Sequence, residues 1–163
     1  MKKITFLIIS LFLFIYINAC SGYKPIFSSS NFEFKIADYS INGNKKLGNK
    51  IYSKLHNISK LNKNNSDAQS VRVSIHASMN KLATAKNSSG KILEYKINLN
   101  TKIVANDYLT NDELLNHNFA SSLSYKVQEQ FSETLKSENK SIDDLINKTY
   151  QDLLIKLAES IAN

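Results

Sequence analysis

From position 71 to 79 apolar and polar residues alternate without a break. Val71, Val73, Ile75, Ala77 and Met79 take the odd positions, and Arg72, Ser74, His76 and Ser78 the even ones. A period of two predicts a strand with one dry face and one wet face. Tyr95, Ile97, Leu99 and Ile103 repeat the pattern against Lys96, Asn98, Asn100 and Lys102. Between the two runs lies Asn87-Ser88-Ser89-Gly90, a turn built from residues that tolerate unusual backbone angles. The dry faces coincide only if odd residues pair with odd ones. The register expected on that basis sets Met79 opposite Ile97, Ala77 opposite Leu99, Val73 opposite Ile103 and Val71 opposite Ala105, with an odd-length loop. After a polar turn at Asn106 to Asp112, a further strand follows through Leu115, Phe119, Leu123, Tyr125 and Val127. His117 and Ser121 share its dry parity, so that face is less purely apolar.

Phe32, Phe34 and Ile36 alternate in the same way, and the turn residues Ile41-Asn42-Gly43-Asn44 close that strand. Leu47, Ile51, Leu55 and Ile58 then fall on one face of a helix, which stops before the polar loop Asn62 to Asp67. Val127, Phe131 and Leu135 suggest a short helical or irregular link. The closing helix is expected to start at Ser141 as cap, with Asp143 and Asp144 in its first turn, where negative charge suits the helix dipole. Its stripe is Ile142, Leu145, Ile146, Tyr150, Leu153, Leu154, Leu157 and Ile161. The order is strand, helix, three strands, helix. It predicts an α+β fold: an antiparallel-rich four-stranded sheet with two helices packed on one face.

The N-terminus has a different character. Lys2 and Lys3 precede an unbroken apolar run from Ile4 to Ile17, and Ala19 stands directly before Cys20. This three-part layout is that of a signal peptide, and the run is shorter than the roughly 20 residues a bilayer-crossing helix needs. It resembles the bacterial lipoprotein signal, in which the thiol is acylated and the chain is cut before it. On that reading residues 1–19 are a leader, 20–30 a lipidated tether and 31–163 a single domain. Two other readings stay open: an incidental thiol beside an uncleaved anchor, and an apolar run that remains in the membrane. Cys20 is the only cysteine, so no internal disulfide can form. Each buried methylene contributes about 0.8 kcal/mol, so one acyl chain holds weakly and two or more hold durably.

Removing 19 of the 163 residues takes away Lys2 and Lys3, leaving 144 residues and lowering the formal charge from +7 to +5. A mildly basic surface suits an anionic partner. Arg72 is the only arginine, and no arginine-rich stripe or aromatic platform points to nucleic acid. Catalytic chemistry is not expected either. His56, His76 and His117 lie on different elements without metal-ligand spacing, and the four glycines form no phosphate loop. Neither a metal nor any cofactor beyond a covalent acyl and diacylglycerol lipid on Cys20 is expected. The remaining candidate contact patch is the tip of the long hairpin, where Lys81, Lys86 and Lys91 lie near Leu82 and Ile92. Lysines there would meet phosphates as point charges, unless the tip is simply a solvated turn.

One further likeness is carried by the residues from the cysteine onward. Cys20-Ser21-Gly22-Tyr23-Lys24-Pro25-Ile26-Phe27 is similar to the Cys-Gly-Phe/Tyr-x-Pro-Leu-Tyr opening of the lipopolysaccharide-assembly lipoprotein family, LptE. Ser21 is an insertion relative to it. Leu99 to Asp107, Thr110-Asn111 and Leu114-Leu115 resemble the family's strand–turn–strand stretch, and Ser124-Tyr125 its recurrent Ser-Tyr. The resemblance implies a fold of two helices over a four-stranded sheet. It also implies attachment by Cys20 to the periplasmic face of the outer membrane and a seat inside the β-barrel LptD. The implied roles are to plug that barrel, assist its assembly and bind lipopolysaccharide in transit. The other class of function compatible with these residues is a free-standing envelope lipoprotein, structural or small-ligand-binding.

Overall fold

Each strand pairing follows from the length of the connection before it. The computed structural model describes residues 34–61 and 68–161. Cys20, the segments 1–19 and 20–30, Phe32 and the loop 62–67 lie outside the described residues. The elements are β1 (Phe34–Gly43), α1 (Lys45–Leu61), β2 (Gln69–Lys86), β3 (Ile92–Asp107), β4 (Glu113–Lys126) and α2 (Phe131–Ile161). They build one sheet in the order β1-β2-β3-β4. The short turns after β2 and β3 make antiparallel pairs, whereas α1 carries the chain back so that β1 and β2 run parallel. The class is α+β, as the element order predicts, and the parallel pair is the part that alternation alone does not reveal.

Odd residues of β2, β3 and β4 form the dry face. Val71, Val73, Ile75, Ala77, Ile97, Leu99, Ile103, Ala105, Leu115 and Phe119 are all buried there. In β1 a bulge at Ala37 resets the pleat, so Phe34 and Ile36 before it face the same side as Tyr39 and Ile41 after it. Leu47, Ile51 and Leu55 of α1 close over β1 and β2, and Leu145, Ile146, Leu153, Leu154 and Leu157 of α2 close over β4 and β3. The opposite sheet face stays open. Burying each large apolar side chain is worth about 1.5–3 kcal/mol, so this single sheet–helix seam supplies most of the stabilisation.

Two expectations need correction. The β2–β3 parity is as expected, but the register is displaced by two residues: Val73 faces Ala105, Ile75 faces Ile103 and Met79 faces Leu99. The cause is the turn. Asn87 Oδ1 accepts from the Ser89 and Lys91 amides at 3.1 and 2.9 Å, and Gly90 sits at φ 80°. Those contacts centre the five-residue loop on Ser89, and the irregularities at Ala83–Lys86 cancel before the strand body. The second correction concerns Ser141. Its helix begins ten residues earlier, at Phe131, so Ser141 lies in mid-helix, buried rather than capping. Asp143 and Asp144 are therefore not in the first turn, and Asp143 instead accepts from Lys50 of α1 at 2.6 Å. The true start is fixed by Thr134, whose hydroxyl accepts from the Gln128 amide at 2.8 Å.

The junction of β1 and α1 turns on two residues. Gly43 has φ 73°, and a Cβ built there would run into the Ala77 carbonyl oxygen. Asn44 then caps α1, its side chain accepting from the Leu47 amide at 3.2 Å while its own amide donates to Ala77 at 2.7 Å. Gly43→Ala is expected to cost about 2 kcal/mol or more through the left-handed backbone and the collision. Asn44→Ala should cost about 1 kcal/mol through the lost cap. Denaturant unfolding of both variants measures the difference, and equal costs would contradict this account.

Candidate functional site

The sheet outruns its helices at the β2–β3 end, and what lies there is polar. Lys81 continues the odd row of β2 beyond Met79, so its side chain emerges on the helix side, not at the tip. There it meets the first turns of α2. Lys81 Nζ donates to both Glu138 carboxylate oxygens at 2.9 Å, and the Tyr125 hydroxyl donates to Glu138 Oε2 at 2.7 Å. The ammonium also lies 5.0 Å from the centre of the Tyr95 ring, which stacks on Tyr125 at 5.8 Å. Four side chains from three strands and a helix thus form one connected cluster.

Charge and burial act together in this cluster. Burial opposes ionisation of Glu138. The Lys81 ammonium and the Tyr125 hydroxyl outweigh that and hold the carboxyl below its ordinary value of 4.5. For Tyr125, burial first and the adjoining Glu138 second push the hydroxyl well above the ordinary tyrosine value of 10.0. Glu138 is a carboxylate and Tyr125 a neutral donor throughout the neutral range.

Beside the cluster opens a cleft of about 380 Å³, walled by Ile92, Tyr95, Tyr125, Val127 and Phe131, with Lys91 at its rim. Phe131 is 81% exposed, a large apolar ring left in solvent at the start of α2. The arrangement joins an apolar wall to two lysines and two carboxylates: Lys81 is engaged by Glu138, and Lys91 and Glu129 complete the charged lining. It contains no nucleophile–base pair. Among the described residues no three potential metal ligands gather, and His56, His76 and His117 stand on α1, β2 and β4.

The structure divides the hairpin patch that the sequence pointed to. Lys81, Lys91 and Ile92 line the cleft. Leu82 points to the open face of the sheet opposite Lys96, because consecutive strand residues alternate sides. Lys86 pairs with Ile92 at the strand ends and is exposed, without lining the cleft. Lys81, read from sequence as a tip lysine, is engaged by Glu138. Phe131 falls in the stretch expected to be a short helical or irregular link, and Glu138 lies before the helix start expected at Ser141, so neither is a candidate contact from sequence. Thr134, Glu138 and Ser141 recur at helical spacing and turn inward together, and a search for apolar periodicity does not register a polar stripe.

The open face forms a second broad surface. Arg72, Ser74, His76 and Asn80 of β2 adjoin Lys96, Asn98, Asn100 and Lys102 of β3. Asn98 donates to Asn80 at 2.9 Å, and Arg72 donates to Asp38 at 3.0 Å while lying 5.3 Å from the Tyr108 ring. The face is amide-rich and mildly basic.

Removing the acceptor that ties the cluster together should be felt in stability. Glu138→Ala is expected to cost about 1–2 kcal/mol. Because the Glu138 pKa is lowered on folding, its contribution is present above the ordinary carboxylate range and is lost as pH falls through the lowered value. Tyr125 acts at the other end, with its contribution complete below 10.0 and lost above. The variant should therefore lie closest to wild type in acid, as measured by denaturant midpoints across pH. A constant gap at every pH would refute the electrostatic account.

A scan against models of known families matches none of them, and no curated protein sequence matches the chain. Solved structures do. Lipoprotein B of Nitrosomonas europaea superposes with a TM-score of 0.54 at 17% identity, covering 82% of this chain and 88% of that one. A Caulobacter crescentus protein described as a lipoprotein gives 0.53 at 12% identity, over 77% and 91%. The minor lipoprotein of Acinetobacter baumannii gives 0.51 at 14% identity, over 77% and 93%. At these identities the likeness is one of fold: the chain has the four-stranded, two-helix architecture of these proteins.

Proposed function

We propose that this chain is an outer-membrane lipoprotein of the LptE type. Acylated at Cys20, it seats in an LptD-type β-barrel as plug and assembly partner and binds lipopolysaccharide in transit. The observation that carries this reading is a conjunction. The body has the fold of three proteins described as lipoproteins, and the only cysteine ends an apolar leader with a basic start.

The geometry of the body is compatible with the plug and glycolipid-binding parts of the role. A plug must offer a polar surface to a wet lumen. The open face does so with amides, hydroxyls and the cations Arg72, Lys96 and Lys102. A plug must also be stiff, and a sheet clamped on one side by two helices bends little. Binding a glycolipid calls for apolar surface next to a cation, the combination found where Phe131, Ile92 and Lys91 meet. No step in this role makes or breaks a covalent bond, so no catalytic group is required of the body.

Intact-mass analysis of the protein from its native membrane should find the chain beginning at an acylated Cys20, and Cys20→Ser should release it from the membrane fraction. A large barrel protein should co-purify with the wild type in detergent. Lys91→Glu, which leaves the Lys81–Glu138 pair in place, should weaken binding to purified lipopolysaccharide about tenfold, the equivalent of about 1.4 kcal/mol. An unmodified thiol, or elution without any barrel, would reject the reading.

A further inference from the structure

Positive charge is concentrated on one helix. α1 carries five lysines, Lys45, Lys46, Lys50, Lys54 and Lys60, and no acidic residue. α2 beside it carries four lysines against six acidic residues, so a lysine-rich composition does not by itself explain the contrast. The lysines are also placed against the stability of their own helix. Lys45 and Lys46 open α1, where the macrodipole disfavours a cation. Lys46, Lys50 and Lys54 then follow at spacings of four, where like charges repel. Part of this is relieved within the fold: Lys50 donates to Asp143 at 2.6 Å, and Lys54 lies 5.7 Å from the centre of the Tyr150 ring. Among the described residues Lys45, Lys46 and Lys60 make no ion pair.

The side of α1 turned away from the sheet is polar along its whole length. Lys46, Asn49, Lys50, Ser53, Asn57 and Lys60 are exposed and recur at steps of 3, 1, 3, 4 and 3. At 1.5 Å per residue this stripe runs for about 21 Å. None of the described apolar side chains of α1 is exposed, so the helix has nothing to insert into a lipid layer. Beside the stripe, between α1 and α2, opens a groove of about 470 Å³. Lys50, Ser53 and Lys54 stand on one wall and Asp143 and Asn147 on the other. A carboxylate projecting from a protein surface can enter such a groove and find cations, amides and hydroxyls at fixed spacing. A flat layer of lipid phosphates would meet only its crest.

We propose that the outer face of α1 is a docking surface for a protein partner whose facing wall is lined with Asp and Glu. On the plug reading above, on which this rests, that partner is the barrel and the acidic wall belongs to its lumen.

The test separates binding from folding. Lys45→Glu with Lys46→Glu breaks no ion pair and replaces two cations in the first turn by anions, so its denaturant midpoint should lie above that of the wild type. Produced as the full acylated chain in its native membrane, the same variant should hold the barrel about tenfold more weakly in detergent, with the gap narrowing at high salt. Carbodiimide joins an amine to a carboxylate in contact with it. In the wild-type complex it should link Lys46 or Lys60 to an Asp or Glu of the barrel, as read by peptide mass spectrometry. Lys136→Glu with Lys140→Glu makes the same change in charge on α2 and should leave the barrel bound. If no barrel accompanies the wild type, the plug reading fails and this docking surface fails with it. If wild type and the α1 variant retain the barrel equally, only the docking surface is overturned. Absence of any such crosslink also overturns it, as does an equal loss in the α2 variant, which would be an effect of net charge. A loss confined to binding vesicles of anionic phospholipid would assign the face to lipid and overturn it too.

Discussion

One dry sheet face has to be covered, and the rest of the molecule is arranged to cover it. Alternation along β2, β3 and β4 gathers their apolar residues on one side, and no strand can hide that side alone. Both helices answer this need: α1 with Leu47, Ile51 and Leu55, and α2 with the longer stripe from Leu145 to Leu157. Among the described residues the packing leaves no second dry surface, so the other face of the sheet is free to be polar. A basic, amide-rich face and a rigid body are thus two results of the same one-sided burial.

Where this apolar seam ends, the chemistry changes. The β2–β3 hairpin extends past the apolar part of α2, and the gap is bridged by a carboxylate instead of by packing. Glu138 takes donors from Lys81 and Tyr125, and the Tyr95 and Tyr125 rings close around them. Hydrogen-bonded, this half-buried charge costs little; unpaired it would be expensive. The cluster fixes the start of α2 against the sheet, leaves the Phe131 ring in solvent and shapes the cleft beside it. The candidate contact region is where the core stops and polar groups take over.

The unequal edges follow from how the strands are connected. β1 enters through a crossover helix and carries a bulge and charges. β4 ends an antiparallel meander and remains regular along most of its length. That regularity lets it pair closely with β3 from Leu115 to Lys126.

Much of the fold was legible in local pattern. Period-two alternation marked β2, β3 and β4 and put their dry residues on one face, because a pleated chain can only alternate. The 3.6-residue period marked α1 and the apolar half of α2. The polar half of α2 was not legible: Glu138 faces inward because Lys81 and Tyr125 lie opposite it, and those partners come from other elements. The two-residue shift in register was likewise decided by the hydrogen bonds of Asn87 across its turn, since parity permits either pairing. The parallel placing of β1 depended on where α1 delivers the chain. Sequence by itself determined which residues had to be dry, because water acts on each side chain wherever it goes. Only tertiary structure decided which polar groups would meet, because a hydrogen bond needs a partner that a local pattern does not contain.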